Sequence, residues 1–291
     1  MRSNAPVIVA VLVLLAPHGA GAAEVTGIED KVRSSEAVVV AEAQKVEPGS
    51  VQIKIAEVLK GSEGIKGVKR IGGEVGGGGE NDFAKGEKCI LFVGEIHDDF
   101  GVLFGGLDGK LCAKQGDMNE FKGAVKNVVA LDGTSGKGPK SGQLKKMLGT
   151  PGFQNKYIAL QEILSRSGDY DLLSLKSAVA PVLKDKTPKI RAKAVLAHVR
   201  IFDAIAKGTS RDEDLLKTLI GMLDDPDGEV REMAHGQLKK NSGNRSITFD
   251  AKASPEERKK KIAEWKRWMS EKKDKSVETE FEDPGGAPGG E

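Results

Sequence analysis

The chain has 291 residues, with 45 Lys+Arg against 43 Asp+Glu, two cysteines and four histidines. Its 30% charged and 38% apolar residues cannot supply the several runs of roughly 20 apolar residues that a multi-span membrane protein needs. The formal net charge of +2 gives no global field to concentrate nucleic acid, and so few cysteines rule out a disulfide-dense scaffold and leave little for a zinc cluster. At about 150 residues per domain, the length fits two small domains plus tails.

Residues 1–23 read as a secretory signal. Arg2 supplies the positive start, Val7 to Ala16 the apolar run, and Ala20-Gly21-Ala22-Ala23 the small residues before cleavage. A ten-residue run spans about 15 Å as a helix, half of a ~30 Å hydrocarbon core, so it does not read as an anchor. The expected location is exported, periplasmic or secreted, with no membrane anchor after cleavage.

Residues 24–131 read as short strands closed by a helix. Ala37 to Ala43 is an apolar run suited to a buried strand. Val51, Ile53 and Ile55 alternate with Gln52 and Lys54, which gives one wet face. Further strands are expected near 68–71, 88–94, 101–106 and 110–112. No helical stretch separates them, so parallel winding through crossover helices is not expected, and a small antiparallel barrel or meander remains. Phe121, Val125, Val128 and Val129 recur at helical spacing and predict one closing helix.

The strand segment resembles the OB-type barrel of netrin-like domains and tissue inhibitors of metalloproteases. The resemblance rests on Val38–Val40, on Ile53-x-Ile55-x-x-Val58-Leu59-Lys60-Gly61 and on Gly86 to Phe92. In that family a cysteine at the mature N-terminus chelates the protease zinc. Here the first cysteine is Cys89, so protease inhibition is not carried over.

Cys89 and Cys112 both fall in expected strands. Export favours a disulfide between them, while two buried thiols acting as small apolar groups remain the alternative. The run Gly76–Gly79 is followed by Glu80-Asn81-Asp82, which would repel phosphate, and lacks the Lys-Ser/Thr of a phosphate loop. Glu95-Ile96-His97-Asp98-Asp99 has ligand chemistry but reads as a solvated hairpin tip, and no metal site is expected.

Residues 132–142 carry Gly, Ser, Thr, Lys and Pro with no large apolar residue, the composition of a flexible linker. Beyond it, residues 143–240 repeat. Leu183-x-Asp185 and Ile190-Arg191-x-x-Ala194 recur forty residues later as Leu223-x-Asp225 and Val230-Arg231-x-x-Ala234. A weaker copy starts near Met147-Leu148. Helix, acidic turn and helix at this period point to stacked helical hairpins, and the pattern resembles the HEAT-repeat family. That resemblance implies an Asp–Arg ladder between successive turns; a pair of arginines, Arg191 and Arg231, gripping a ligand carboxylate or phosphate is the alternative. His198 and His235 are not repeat equivalents and are not expected to share a metal.

Residues 241–275 read as a connecting loop and a capping helix. Ser254-Pro255-Glu256-Glu257 is a helix start, and Ile262, Trp265, Trp268 and Met269 form one apolar stripe. Trp265 and Trp268 either seal the last repeat or present an aromatic patch to a partner. Residues 276–291 hold five acids and no base and read as a disordered acidic tail.

The expected fold class is α+β and multidomain, a small antiparallel OB-like β-barrel followed by a short α-solenoid. Neither Gly-x-Ser-x-Gly nor His-Glu-x-x-His occurs. The expected function is non-enzymatic binding of a protein or extracellular polymer, without nucleic acid and without cofactor. A netrin-like hydrolase inhibitor is the alternative.

Overall fold

The computed structural model describes residues 28–47, 50–61, 65, 67–72, 83–97, 100–103, 110–112, 117–205, 211–244 and 246–280. The signal expected at 1–23, the glycine run 73–79, Asp98, Asp99 and residues 281–291 lie outside the described residues. The fold is α+β: a sheet formed by the first part of the chain, followed by packed helices.

A short helix α1 (Ile28–Ser34) precedes strands β1 (Ala37–Glu47), β2 (Ser50–Lys60), β3 (Arg70–Gly72), β4 (Lys88–His97), β5 (Phe100–Leu103) and β6 (Lys110–Cys112). The long apolar run of β1 pairs antiparallel with β2 on one side and with β4 on the other. Both faces of β1 are covered. Val38 and Val40 join the core shared with the helices, while Val39, Ala41 and Ala43 join a second core inside the curl of the sheet with Val51, Ile71, Leu91 and Val93. Burial on both faces is why this strand lacks polar alternation.

The sheet differs from the all-antiparallel arrangement expected. β3 and β5 run parallel, in register from Arg70↔Phe100 to Gly72↔Val102. Because β4 lies between them in the chain and returns the direction, this parallel pair needs no crossover helix. β2 pairs with β3, and β5 with β4, but the sheet stays open and is not the closed barrel expected, since β3 and β5 meet over only three residues. β6 adds at the end of the strand order, against β4.

Helix α2 (Met118–Asp132) starts at Asp117, whose carboxylate accepts the Asn119 N–H at 2.8 Å, the expected N-cap chemistry. Its buried stripe, Phe121, Val125 and Val128, packs in one core with Ile28 and Val32 of α1 and with Ile90 and Phe92 of β4. Lys60 donates to the carbonyls of Val32 (2.7 Å) and Ser35 (2.6 Å), which fastens the end of α1 to β2.

The flexible linker expected at 132–142 is not what the chain forms there. Helix α3 (Lys137–Gly149) begins within it. Pro139 sits in the first turn, where its missing N–H costs nothing, and the Ser141 hydroxyl accepts the Asp171 N–H at 2.8 Å. Leu144, Met147 and Leu148 are buried just beyond. A composition that suits a tether is here a helix start, because the apolar stripe that pins it lies one turn later.

Then follow α4 (Phe153–Ser165), α5 (Leu172–Val179) extended by a 3-10 turn (Ala180–Lys184), α6 (Pro188–Ile205), α7 (Arg211–Met222), α8 (Gly228–Ser242) and α9 (Pro255–Glu280). The packing is layered: α2 on α4, α4 on α6 and α6 on α8 in one row; α3 on α5 in the other, with α9 on α7. One hydrophobic core runs from Val38 of the sheet to Trp265 of α9, so sheet and helices share an interior. Helix α9 extends to Glu280, past residue 276, where a disordered tail was expected to begin.

Gly152 N-caps α4 at φ +103°, and a Cβ there would lie 2.9 Å from the Glu120 carboxylate. That carboxylate accepts the Gln154 N–H at 2.5 Å, replacing a side-chain cap. Gly152→Ala is therefore expected to lower stability by about 1–3 kcal/mol in urea denaturation. Gly236→Ala, on α8 with open space around it, is expected to raise it by about 0.5–1 kcal/mol.

Candidate functional site

The residues that repeat in the sequence meet at the hairpin turns. Asp185 closes its own turn by accepting the Thr187 N–H at 2.8 Å and receives Lys156 Nζ from the preceding hairpin at 2.5 Å. Burial pushes its carboxyl up, but Lys156 and the Thr187 N–H outweigh this and hold it below the usual carboxylate range. Arg191 donates Nη1 to the carbonyls of Asp185 (2.8 Å) and Lys186 (3.3 Å). Its Nε and Nη2 form a fork on the Asp225 carboxylate, each at 2.7 Å, and this pairing raises the guanidinium further above its ordinary value. Forty residues on, Arg231 repeats the move: Nη1 reaches the carbonyls of Asp225 (2.6 Å) and Pro226 (3.0 Å), and Nε reaches Ala251 at 2.8 Å. Asp225 in turn accepts the Asp227 N–H at 2.8 Å.

Each arginine thus clips its own turn and reaches the next structural layer. Arg191 and Arg231 are 7% and 8% exposed, and each makes four hydrogen bonds within the chain. A ligand carboxylate or phosphate would have to displace them, so the gripping alternative does not fit. The carbonyl of Ala251 ends the series where a third aspartate would stand. Nothing in the polar stretch 241–253 signals this role.

The tryptophans sit at the same end. Trp265 is 0% exposed, lies edge-on to Trp268 with centroids 5.6 Å apart and faces His235 at 6.3 Å. Trp268 is only partly buried and packs against the core. Phe249 and Ile247, which sequence patterning missed, pack against the same core, with Phe249 5.4 Å from His235. Trp265 is therefore a packing residue and not a contact for a partner. Ser254 and Glu257 start α9 reciprocally: the Ser254 N–H donates to Glu257 at 3.1 Å, and the Glu257 N–H donates back at 3.3 Å, the two halves of a capping box.

In the sheet, Cys89 and Cys112 are Cα partners across β4 and β6, and Cys89 is disulfide-bonded. Closing a loop of this length stabilises by about 3 kcal/mol in the chain-entropy model. Reduction is expected to lower the unfolding free energy by that amount, read from urea denaturation against the unreduced protein. Glu95, Ile96 and His97 lie within β4, opposite Val102, Gly101 and Phe100, and not at a hairpin tip as expected. Among the described residues no group of three His, Cys, Asp or Glu could hold a metal ion. His198 and His235 face different neighbours, Phe202 and Phe249 respectively.

One cluster was not legible in the sequence. Arg33 of α1 donates Nε to Asp132 at 3.0 Å and Nη1 to Glu162 at 2.8 Å. The Tyr170 hydroxyl donates to the other oxygen of Glu162. Burial and the Glu162 carboxylate push the phenol up. Glu29 is buried beside them, and burial raises its carboxyl. Three carboxylates, a guanidinium and a phenol could serve proton transfer, but Arg33 is spent on fastening α1 to α2 and α4, and the Tyr170 hydroxyl is spent on Glu162. The partners of Arg33 are 99 and 129 residues away in the chain, which no local pattern reveals.

Two of the grooves among the described residues bear on docking. One of about 290 Å³ is lined by Val40, Glu42, Glu57, Lys88, Met118 and Lys122. The other, about 280 Å³, lies between α7 and α9 and is lined by Ile220, Gly221, Asp224, Lys259, Ile262 and Lys266. Neither is lined by Arg191, Arg231, Trp265, Trp268, Cys89 or Cys112. No described helix is long and apolar enough to cross a membrane. No protein-family model matches the chain, and no curated protein or solved structure matches it either.

Proposed function

We propose that this chain is an exported binding protein, an OB-like sheet built onto a short stack of HEAT-like hairpins that docks a protein or an extracellular polymer. The observation that carries this reading is the series of turn contacts Lys156–Asp185, Arg191–Asp225 and Arg231–Ala251. Such contacts hold successive hairpins in a fixed stack, and a stack of this kind presents a long outer wall for docking. Leu173 on α5 is 64% exposed and marks an apolar position on that wall. The sheet is read as OB-like because the long β1 pairs with both β2 and β4 and the sheet carries a core of its own. Export is supported by the sequence of residues 1–23 and by the disulfide at Cys89, a bond that persists in oxidising compartments.

The test uses the full mature chain, because sheet and helices share one core. It is immobilised beside a Leu173→Asp variant and exposed to the exported fraction. Retention of one component by the wild type, and its loss with Leu173→Asp, is the expected result. Turnover of a substrate by the chain, with nothing retained, would overturn the binding reading.

A further inference from the structure

His198 is 4% exposed on α6, and neither of its ring nitrogens has a hydrogen-bond partner. A buried polar group without a partner is costly even when neutral, and a cation in that place is far more so. The imidazole packs on Phe202 with centroids 4.8 Å apart. The Lys176 ammonium of α5 caps that same phenyl ring, 4.3 Å from its centroid. Lys176 lies 3.9 Å from Asp214 of α7. Groups from three helices of two hairpins therefore meet beside the buried imidazole.

We infer that this junction is a proton-triggered hinge, in which uptake of one proton by His198 loosens the contact of α5 and α6 with α7. The charged groups acting on the ring among the described residues are Lys176 and Asp214. Lys176 repels an imidazolium. Asp214 attracts it but stands largely in water, with a 69% exposed side chain, where screening leaves little attraction. No described charged group of α4 or α8 acts on it. The new cation can be hydrated only if the junction opens. Burial, with the repulsion of Lys176 second, lowers the imidazole to about 4 from an ordinary 6.5. A group lowered in this way is neutral in the closed state and takes its proton on opening. The closed state is favoured fully above pH 6.5, and that preference is lost progressively as pH falls toward 4.

The test is hydrogen exchange of the full chain at pH 7.5 and pH 5.0, corrected for intrinsic rates. Amides of α5, α6 and α7 are expected to open about 30-fold more at pH 5.0, while those of β1 and β2 hold. His198→Phe keeps an aromatic ring against Phe202 and should abolish the change in α5–α7. Effects of the half-buried His235 at α8 and α9 should persist in that variant. If His198→Phe does not fold, Lys176→Met serves: removing the repelling ammonium should shrink the acid-induced opening. An acid response that is uniform along the chain, absent, or unchanged in these variants would overturn the hinge.

Discussion

Arg191→Ala is expected to lower the unfolding free energy by about 3–5 kcal/mol, read from urea denaturation midpoints. Removing one partner of a buried ion pair strands the other. Here the stranded group is Asp225, 8% exposed, which would keep only the Asp227 N–H at 2.8 Å. The carbonyls of Asp185 and Lys186 would lose their shared donor as well. Arg191→Lys retains the charge but not the planar fork, so it should recover only part of the loss. In the double variant Arg191→Ala/Asp225→Ala no charge is left behind, and it should be more stable than the sum of the single changes predicts. A loss under about 1 kcal/mol for Arg191→Ala would place the pair among solvent-screened contacts and remove the turn series as a source of stability.

Arg33→Ala should cost a comparable ~3–5 kcal/mol, by the same logic at the seam between sheet and helices. Glu162, 1% exposed, would face the interior with only the Tyr170 hydroxyl as partner. The Arg33→Ala/Glu162→Gln double variant should regain about 1–2 kcal/mol, because an amide is far cheaper to bury than an unpaired carboxylate. Far-UV circular dichroism reports the whole chain, whereas tryptophan fluorescence reports α9 alone, since both tryptophans are there. The continuous core from Val38 to Trp265 predicts that the two probes give coincident transitions in wild type and variants alike. Separate transitions would show that sheet and helices unfold independently.

Legibility in the sequence followed the distance over which each signal acts. The alternation Val51, Ile53 and Ile55 placed β2, and the Ser254–Glu257 box placed the start of α9, because each is written in neighbouring residues. The forty-residue echo of Asp185 and Arg191 in Asp225 and Arg231 located the turns without showing what each arginine grips. The same patterning failed at residues 132–142, where Gly, Lys and Pro open α3, and at 241–253, where Phe249 and the Ala251 carbonyl serve the helix layer. Polar composition there concealed single residues whose role is set by what packs on them.

Local residue order alone determined the α+β division, the apolar stripes and the helix start at Ser254. Only the tertiary structure decided that β3 and β5 join in parallel, that Arg33 binds Asp132 and Glu162, that Arg191 and Arg231 are used up internally and that His198 is left unsolvated. The physical reason is range. Periodicity and capping act over a few residues along one element, whereas the β3–β5 pairing joins Ile71 to Gly101, and the partners of Arg33 lie 99 and 129 positions away.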